Sequence, residues 1–393
     1  MAMTQPARRA AESTQEPDRP GLAARARESL GTLLNRIVTW FISDCHADYG
    51  FAMMRIVSGI LLLGWLVLNL LIAGRIWGPG SAYWQPYREI LGYDFPFNLL
   101  QHAGGPVFWI WFALTLLLVV AYLLGWRTRV VTPLLFVFYT SLNGQNTAIS
   151  DGGNYFIRIM LIYLIFADIS RRWSLDARRR KARKLPEHQV GTVLHNVALC
   201  MVVAQLCLVY FEAGMYKVQG SLWQNGTAVY YPLQSEAYGV FPWLSDLMTS
   251  WSVVLVTYFT VVVQIAFPFL LFHTITRRIA LICILGMHVS IALVMGLPFF
   301  SGIMASADAV LVSGATWQLV VGWFLAVLAR IPGLNRLVHR DQPDSATDIS
   351  PEGTTDVSPA RAMATAEPEG ESAPTVGVDT EQPTSSRAER LRS

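Results

Sequence analysis

FAMMRIVSGILLLGWLVLNLLIA, residues 51–73, has a single charged residue, Arg55, among its 23 positions. A helix of about 20 apolar residues is what the roughly 30 Å hydrocarbon core of a bilayer requires. Similar runs follow at Pro106–Leu124, Val130–Leu142, Tyr155–Ala167, Val193–Tyr210, Ser252–Phe272, Ile279–Met295 and Phe299–Val312. They predict an all-α, polytopic transmembrane helix bundle of about eight spans. A ninth run, Thr316–Leu328, holds two Trp and is followed by Arg330, Arg336 and Arg340. It either spans or lies on the surface, and the arginines favour the surface.

The distribution of charge supports this class. The chain has 393 residues, with 30 Lys and Arg and 27 Asp and Glu. Residues 51–340 hold only 20 of the basic and 10 of the acidic ones, well below the roughly 25% charge of soluble domains. Residues 1–44 read as a polar N-terminal segment, 45–315 as the membrane domain, and 316–340 as an interfacial helix or ninth span. Residues 341–393, acidic and poor in apolar residues, read as a disordered tail. The loop DISRRWSLDARRRKARK, residues 168–184, has eight Lys and Arg and is placed in the cytoplasm, with both termini on the same side. The expected location is a bacterial inner membrane. The ARRRKARK run suits anionic lipid rather than nucleic acid. Four scattered cysteines and seven histidines show no metal spacing.

Ionisable groups within spans are costly and face the bundle or a wet cavity. They are Arg55, Arg158, His288 and Asp308, joined by Glu212 and Lys217 at the end of the fifth run. Arg55 and Asp308 are expected at one depth as a buried pair. A lone His288 on an apolar helix has the ordinary role of a core residue.

VYFEAGMYKVQGSLW, residues 209–223, contains Lys217, the only lysine outside the cytoplasmic loop among 27 Arg and 3 Lys. If the helix continues past Tyr210, Tyr210 and Lys217 share one face, as do Gln205 and Glu212. Arg stays protonated in proteins, whereas a desolvated Lys can act as a base. The plainer reading is an interfacial Lys reaching to the headgroups. SLNGQNTAISDGGNYFIR, residues 141–158, is a polar, Gly-broken loop in which Asp151, Asn154 and Arg158 could hold the polar end of a ligand. Alternatively it is a turn with an N-cap and a structural ion pair.

These segments resemble one family. NTAISDGGNYFIRIMLIYLIFADISRRWSLD and LVYFEAGMYKVQGSLWQNGTAVYY are similar to the horizontally transferred transmembrane (HTTM) domain. That domain is related to the membrane half of vitamin K-dependent gamma-carboxylase. FAMMRIVSGILLLGWLVLNL and MHVSIALVMGLPFFSGIMASADAVL resemble its first and last parts, so the likeness covers about residues 45–315. The WSLD after the fourth run and the YFxAGxxK…W pattern ending at Trp223 are its most specific pieces. The resemblance implies that Lys217 deprotonates a vitamin K-type hydroquinone or a menaquinone-like relative. It also implies a carboxylase or quinol-epoxidase-like lyase or oxidoreductase. A histidine of the carboxylase falls at Gly153 or Asn154, and no large extramembrane region follows, so glutamate carboxylation is not expected.

Two functions follow. One is an enzyme acting on a membrane-embedded quinol-like or other lipid-soluble substrate, with Lys217 as base, Glu212 and Tyr210 tuning it, and Asp151, Asn154, Arg158 and Trp223 binding substrate. The other is a non-enzymatic membrane factor for maturation, export or immunity of a secreted peptide, using aromatic loops around Trp84, Trp223 and Tyr231. A transporter is weaker, since neither repeat symmetry nor paired broken helices are visible.

Overall fold

In the computed structural model of the protein, residues 22–82, 84–183 and 189–330 are described. They form helices, with no extended strand among them. The expected tail at 341–393, residues 1–21 and the 331–340 part of the interfacial segment lie outside the described residues.

Ten helices build the bundle: α1 (Leu22–Ser43), α2 (Asp48–Leu68), α3 (Gly105–Leu124), α4 (Thr128–Asn143), α5 (Gly152–Phe166), α6 (Gln189–Val218), α7 (Ser250–Leu270), α8 (Thr274–Val294), α9 (Pro298–Asp308) and α10 (Gly314–Ala329). All nine apolar runs are helical. Only α2, α3, α6, α7 and α8 are long and apolar enough to cross a membrane by length and composition. α5, α9 with its following turn, and α10 are apolar but shorter. At 1.5 Å per residue, α6 with its 30 residues reaches about 45 Å, longer than the hydrocarbon core. Lys217 therefore stands on the helix itself.

The inner faces of these helices pack Phe51, Phe108, Leu135, Leu161, Leu206 and Phe267 into one core. Their outer faces leave Leu117, Leu255, Ile282 and Leu293 more than 60% exposed, an apolar belt that suits lipid rather than water. Within the segment expected to be polar, α1 places Leu30, Leu33, Leu34 and Ile37 on a helical repeat. Its C-terminal end is anchored by Asn196 of α6, whose Nδ2 donates to the carbonyls of Phe41 (3.1 Å) and Asp44 (2.8 Å).

The Arg-rich end is held by two clasps. Arg55 is fully buried, and its guanidinium donates to the carbonyls of Ile169 (3.2 Å), Tyr122 (3.2 Å), Leu123 and Trp173 (2.7 Å). Tyr122 and Leu123 end α3, where carbonyls lack helical donors. Gly125 follows at φ +65°, and a Cβ there would come within 2.4 Å of Ser174 and 3.0 Å of the Arg55 guanidinium. The expected Arg55–Asp308 pair is thus not formed, because these backbone acceptors take the guanidinium. The second clasp is the WSLD segment. Asp176 accepts from the backbone N–H groups of Arg127 and Thr128, each at 3.0 Å, and so caps α4 from a distant part of the chain. Ser174 Oγ accepts from Ala177 N–H (2.9 Å), and starts the next helix.

At the opposite end, the polar loop between α4 and α5 ties down the long 74–105 segment. Gln145 Nε2 donates to the Phe97 carbonyl (3.1 Å) and Asn146 Nδ2 to that of Ile76 (2.9 Å). Both side chains are buried. Gln145 and Asn146 thus have a structural use in this loop.

Candidate functional site

α6, α7, α8 and the 219–249 segment enclose a cavity of about 440 Å³, in the size range of small-molecule sites. Its walls are mainly apolar: Met248, Met287, Met295, Leu233, Ile291 and Phe300. Lys217 and Trp223 line it as well. The Lys217 Nζ lies 5.3 Å from the centre of the Trp223 ring, a cation–π arrangement, and 3.3 Å from the Ala213 carbonyl. The sequence YFEAGMYK explains this placement. An added Cβ at Gly214 would lie 2.6 Å from Ile265 Cγ1 and 3.2 Å from Gln264 Cβ, so only glycine lets α7 approach α6 this closely. That contact lies one turn from Lys217 and beside Gln264, which lines the cavity.

A second cluster lies deeper. The Tyr210 hydroxyl donates to Asp308 Oδ2 at 3.0 Å and is 3.1 Å from His288 Nε2. The hydroxyl has one proton, so with Asp308 receiving it, His288 supplies its own Nε2–H to the phenol oxygen. All three side chains are at most 3% exposed. His288 Nδ1 and Asp308 Oδ1 are buried with no hydrogen-bond partner among the described residues. Phe267 packs edge-on against Tyr210, with ring centres 4.6 Å apart. The Phe300 ring, in the cavity wall, is 6.2 Å from that of His288. Three residues singled out separately in the sequence are therefore one hydrogen-bonded group, joining α6, α8 and α9.

The remaining predicted residues do not meet at Lys217. Tyr210 shares its helix face but bonds to the deeper cluster. Glu212 is exposed and is not among the cavity-lining residues. Asp151 is the N-cap of α5: its Oδ1 accepts from the Asn154 N–H (2.8 Å) and Asn154 Nδ2 (3.0 Å). Asn154 in turn accepts from the Tyr139 hydroxyl. These groups border a cavity of about 20 Å³, room for a single water rather than a ligand. Phe300, against which Gly152 and Gly153 pack, stands between that corner and the Lys217 cavity. Arg158 is buried with its guanidinium 4.7 Å from the Tyr155 ring centre and 5.3 Å from that of Phe97, holding the 74–105 segment to α5. The sequence reading missed Gln264, an uncharged polar residue in an apolar helix that also lines the Lys217 cavity. Among the described residues, no group of three or more His, Cys, Asp or Glu is arranged to hold a metal ion.

Long apolar helices with a lipid-like outer belt and buried polar groups inside define a polytopic helical membrane protein. More particularly, residues 50–317 match the HTTM domain, and the chain belongs to that family. It is 29% identical over 204 residues to the uncharacterized protein YitO of Bacillus subtilis (strain 168), covering 50% of this chain and 63% of YitO. It is 24% identical over 221 residues to the sporulation-delaying protein SdpB of the same organism, covering 54% of this chain and 65% of SdpB. The matches thus span less than two-thirds of either relative. No solved structure matches the chain.

Proposed function

We propose that the protein is an enzyme acting on a quinol-like or other lipid-soluble substrate, and that Lys217 is its base. The observation that carries this reading is the Lys217 amine at a largely apolar cavity of about 440 Å³. Lys217 takes the proton of a substrate hydroxyl: the O–H bond breaks, its electron pair stays on oxygen, and the proton goes to Nζ. The resulting ammonium faces the Trp223 ring, whose electron-rich surface stabilises a cation. Trp223 is a substrate-contact and cation-stabilising residue. Glu212, Asp151, Asn154 and Arg158 have no part in this step. The Arg-rich end faces the cytoplasm with both termini, and the cavity faces the other side of a bacterial inner membrane.

The test is Lys217→Arg, which keeps the charge and loses the base. Purified full-length protein in nanodiscs is given a reduced naphthoquinol, and its oxygen-dependent conversion is followed by chromatography. The variant is expected to lose at least 10²-fold in rate, the usual worth of a general base. Turnover at the wild-type rate overturns the assignment.

A second reading is favoured by the exposed Tyr231, Tyr238 and Trp243. On it, the aromatic segments bind a secreted peptide and Lys217→Arg is tolerated. Changes at Trp84, Trp223 or Tyr231 then matter instead.

A further inference from the structure

Gln264 lies in an otherwise apolar stretch of α7, VVVQIAFPF, residues 261–269. It is 6% exposed and lines the Lys217 cavity. Its Oε1 is buried with no hydrogen-bond partner among the described residues. Two other polar residues of the cavity are satisfied by their own helices. Thr260 Oγ1 donates to the Val256 carbonyl and Ser290 Oγ to that of Met287, each at 2.8 Å. A buried amide oxygen without a donor is costly, and buried polar groups are almost always paired. At this position Gly214 brings α6 against the Gln264 Cβ.

We propose that Gln264 reads an oxygen on the ligand of this cavity, and that the ligand is an apolar ring molecule bearing a hydroxyl or a carbonyl. The inference rests on the cavity being a substrate site. A primary amide suits both oxygen types. Its Nε2–H donates to a carbonyl, and after rotation of the amide its Oε1 accepts from a hydroxyl. One residue thereby holds the hydroxyl and carbonyl forms of the same ring. Met287, Met295 and Phe300 hold the apolar faces, since thioethers and aromatic rings pack favourably against a ring. Gln264 acts on binding and selectivity, and Lys217 on the proton.

The experiment compares three probes of one ring shape on full-length protein in detergent, without oxygen: menadiol, menadione and 2-methylnaphthalene. Binding is read from quenching of tryptophan fluorescence, with Trp223→Phe identifying the part of the signal that comes from the cavity wall. Gln264→Leu is expected to weaken menadiol and menadione about tenfold and to leave 2-methylnaphthalene unchanged or tighter. Gln264→Glu, when ionised, accepts but cannot donate, so it is expected to favour menadiol over menadione about tenfold. Gln264→Asn, which keeps the amide, serves as the second variant and is expected to bind both oxygenated rings more tightly than Gln264→Leu. Unchanged binding of all three probes by Gln264→Leu and Gln264→Glu overturns the proposal. So does wild-type protein that binds 2-methylnaphthalene as tightly as menadiol. Failure of the base assignment looks different: Lys217→Arg would turn over at the wild-type rate while the dependence of binding on Gln264 persisted.

Discussion

The hydrogen bond between Tyr210 and Asp308 can be weighed by a double-mutant cycle of Tyr210→Phe and Asp308→Leu. Tyr210→Phe keeps the ring that packs on Phe267 and deletes the hydroxyl that reaches both Asp308 and His288. Asp308 Oδ1 already lacks a hydrogen-bond partner, so the variant leaves neither carboxyl oxygen with a donor. Hydrogen bonds to charged groups contribute about 1.5–3 kcal/mol in soluble proteins. Polar contacts between membrane helices have been worth about 0.6 kcal/mol on average and about 1.7 kcal/mol at most. The Tyr210 hydroxyl is the one donor to Asp308 among the described residues, so a coupling near the upper membrane figure, about 1.5 kcal/mol, is expected. Asp308→Leu removes the buried carboxyl together with its need for a donor and is expected to be near neutral. In that background Tyr210→Phe loses only the contact to His288 and costs about 0.6 kcal/mol. Unfolding by sodium dodecyl sulfate in mixed micelles, followed by circular dichroism, supplies the four stabilities. A coupling below about 0.5 kcal/mol, within ordinary additivity, would refute the bond.

Two further outcomes follow from the packing. Gly214→Ala forces its Cβ to within 2.6 Å of Ile265 Cγ1 and is expected to cost about 1–3 kcal/mol, read as a lowered unfolding midpoint with weakened probe binding in the cavity. Asp176→Ala deprives the first turn of α4 of its cap and is expected to cost about 1 kcal/mol in the same unfolding assay, with binding in the distant cavity unchanged.

The five long apolar helices were legible because crossing a bilayer takes about 20 apolar residues, and runs such as 51–73 meet that length with one charge. The onset of α1 was hidden by Arg25, Arg27 and Glu28, although Leu30, Leu33, Leu34 and Ile37 already had helical spacing. Tyr210, His288 and Asp308 could be flagged one by one, since two are ionisable groups within spans and Tyr210 shares the Lys217 face. Their meeting could not be read, because they are 78 and 98 residues apart along the chain from Tyr210. Pairing Arg55 with Asp308 followed from opposite charge at similar depth. It failed because backbone carbonyls at the end of α3 compete for a guanidinium as well as a carboxylate does. Asp151 and Asn154 of the polar loop resembled a ligand site for a related reason: a side chain that caps a helix or satisfies a buried loop and one that binds a ligand have the same composition. Gln264 escaped notice because a search for charge passes over a neutral amide.

The most direct test of the central claim is turnover of a reduced naphthoquinol by Lys217→Arg beside wild-type protein, with Lys217→Ala supplied with small primary amines as the deciding arm. A base role predicts a loss of at least 10²-fold in the Arg variant and a rate for the Ala variant that recovers with amine concentration. Wild-type turnover by Lys217→Arg, or no recovery with any amine in a Lys217→Ala protein that still binds menadiol, would contradict it.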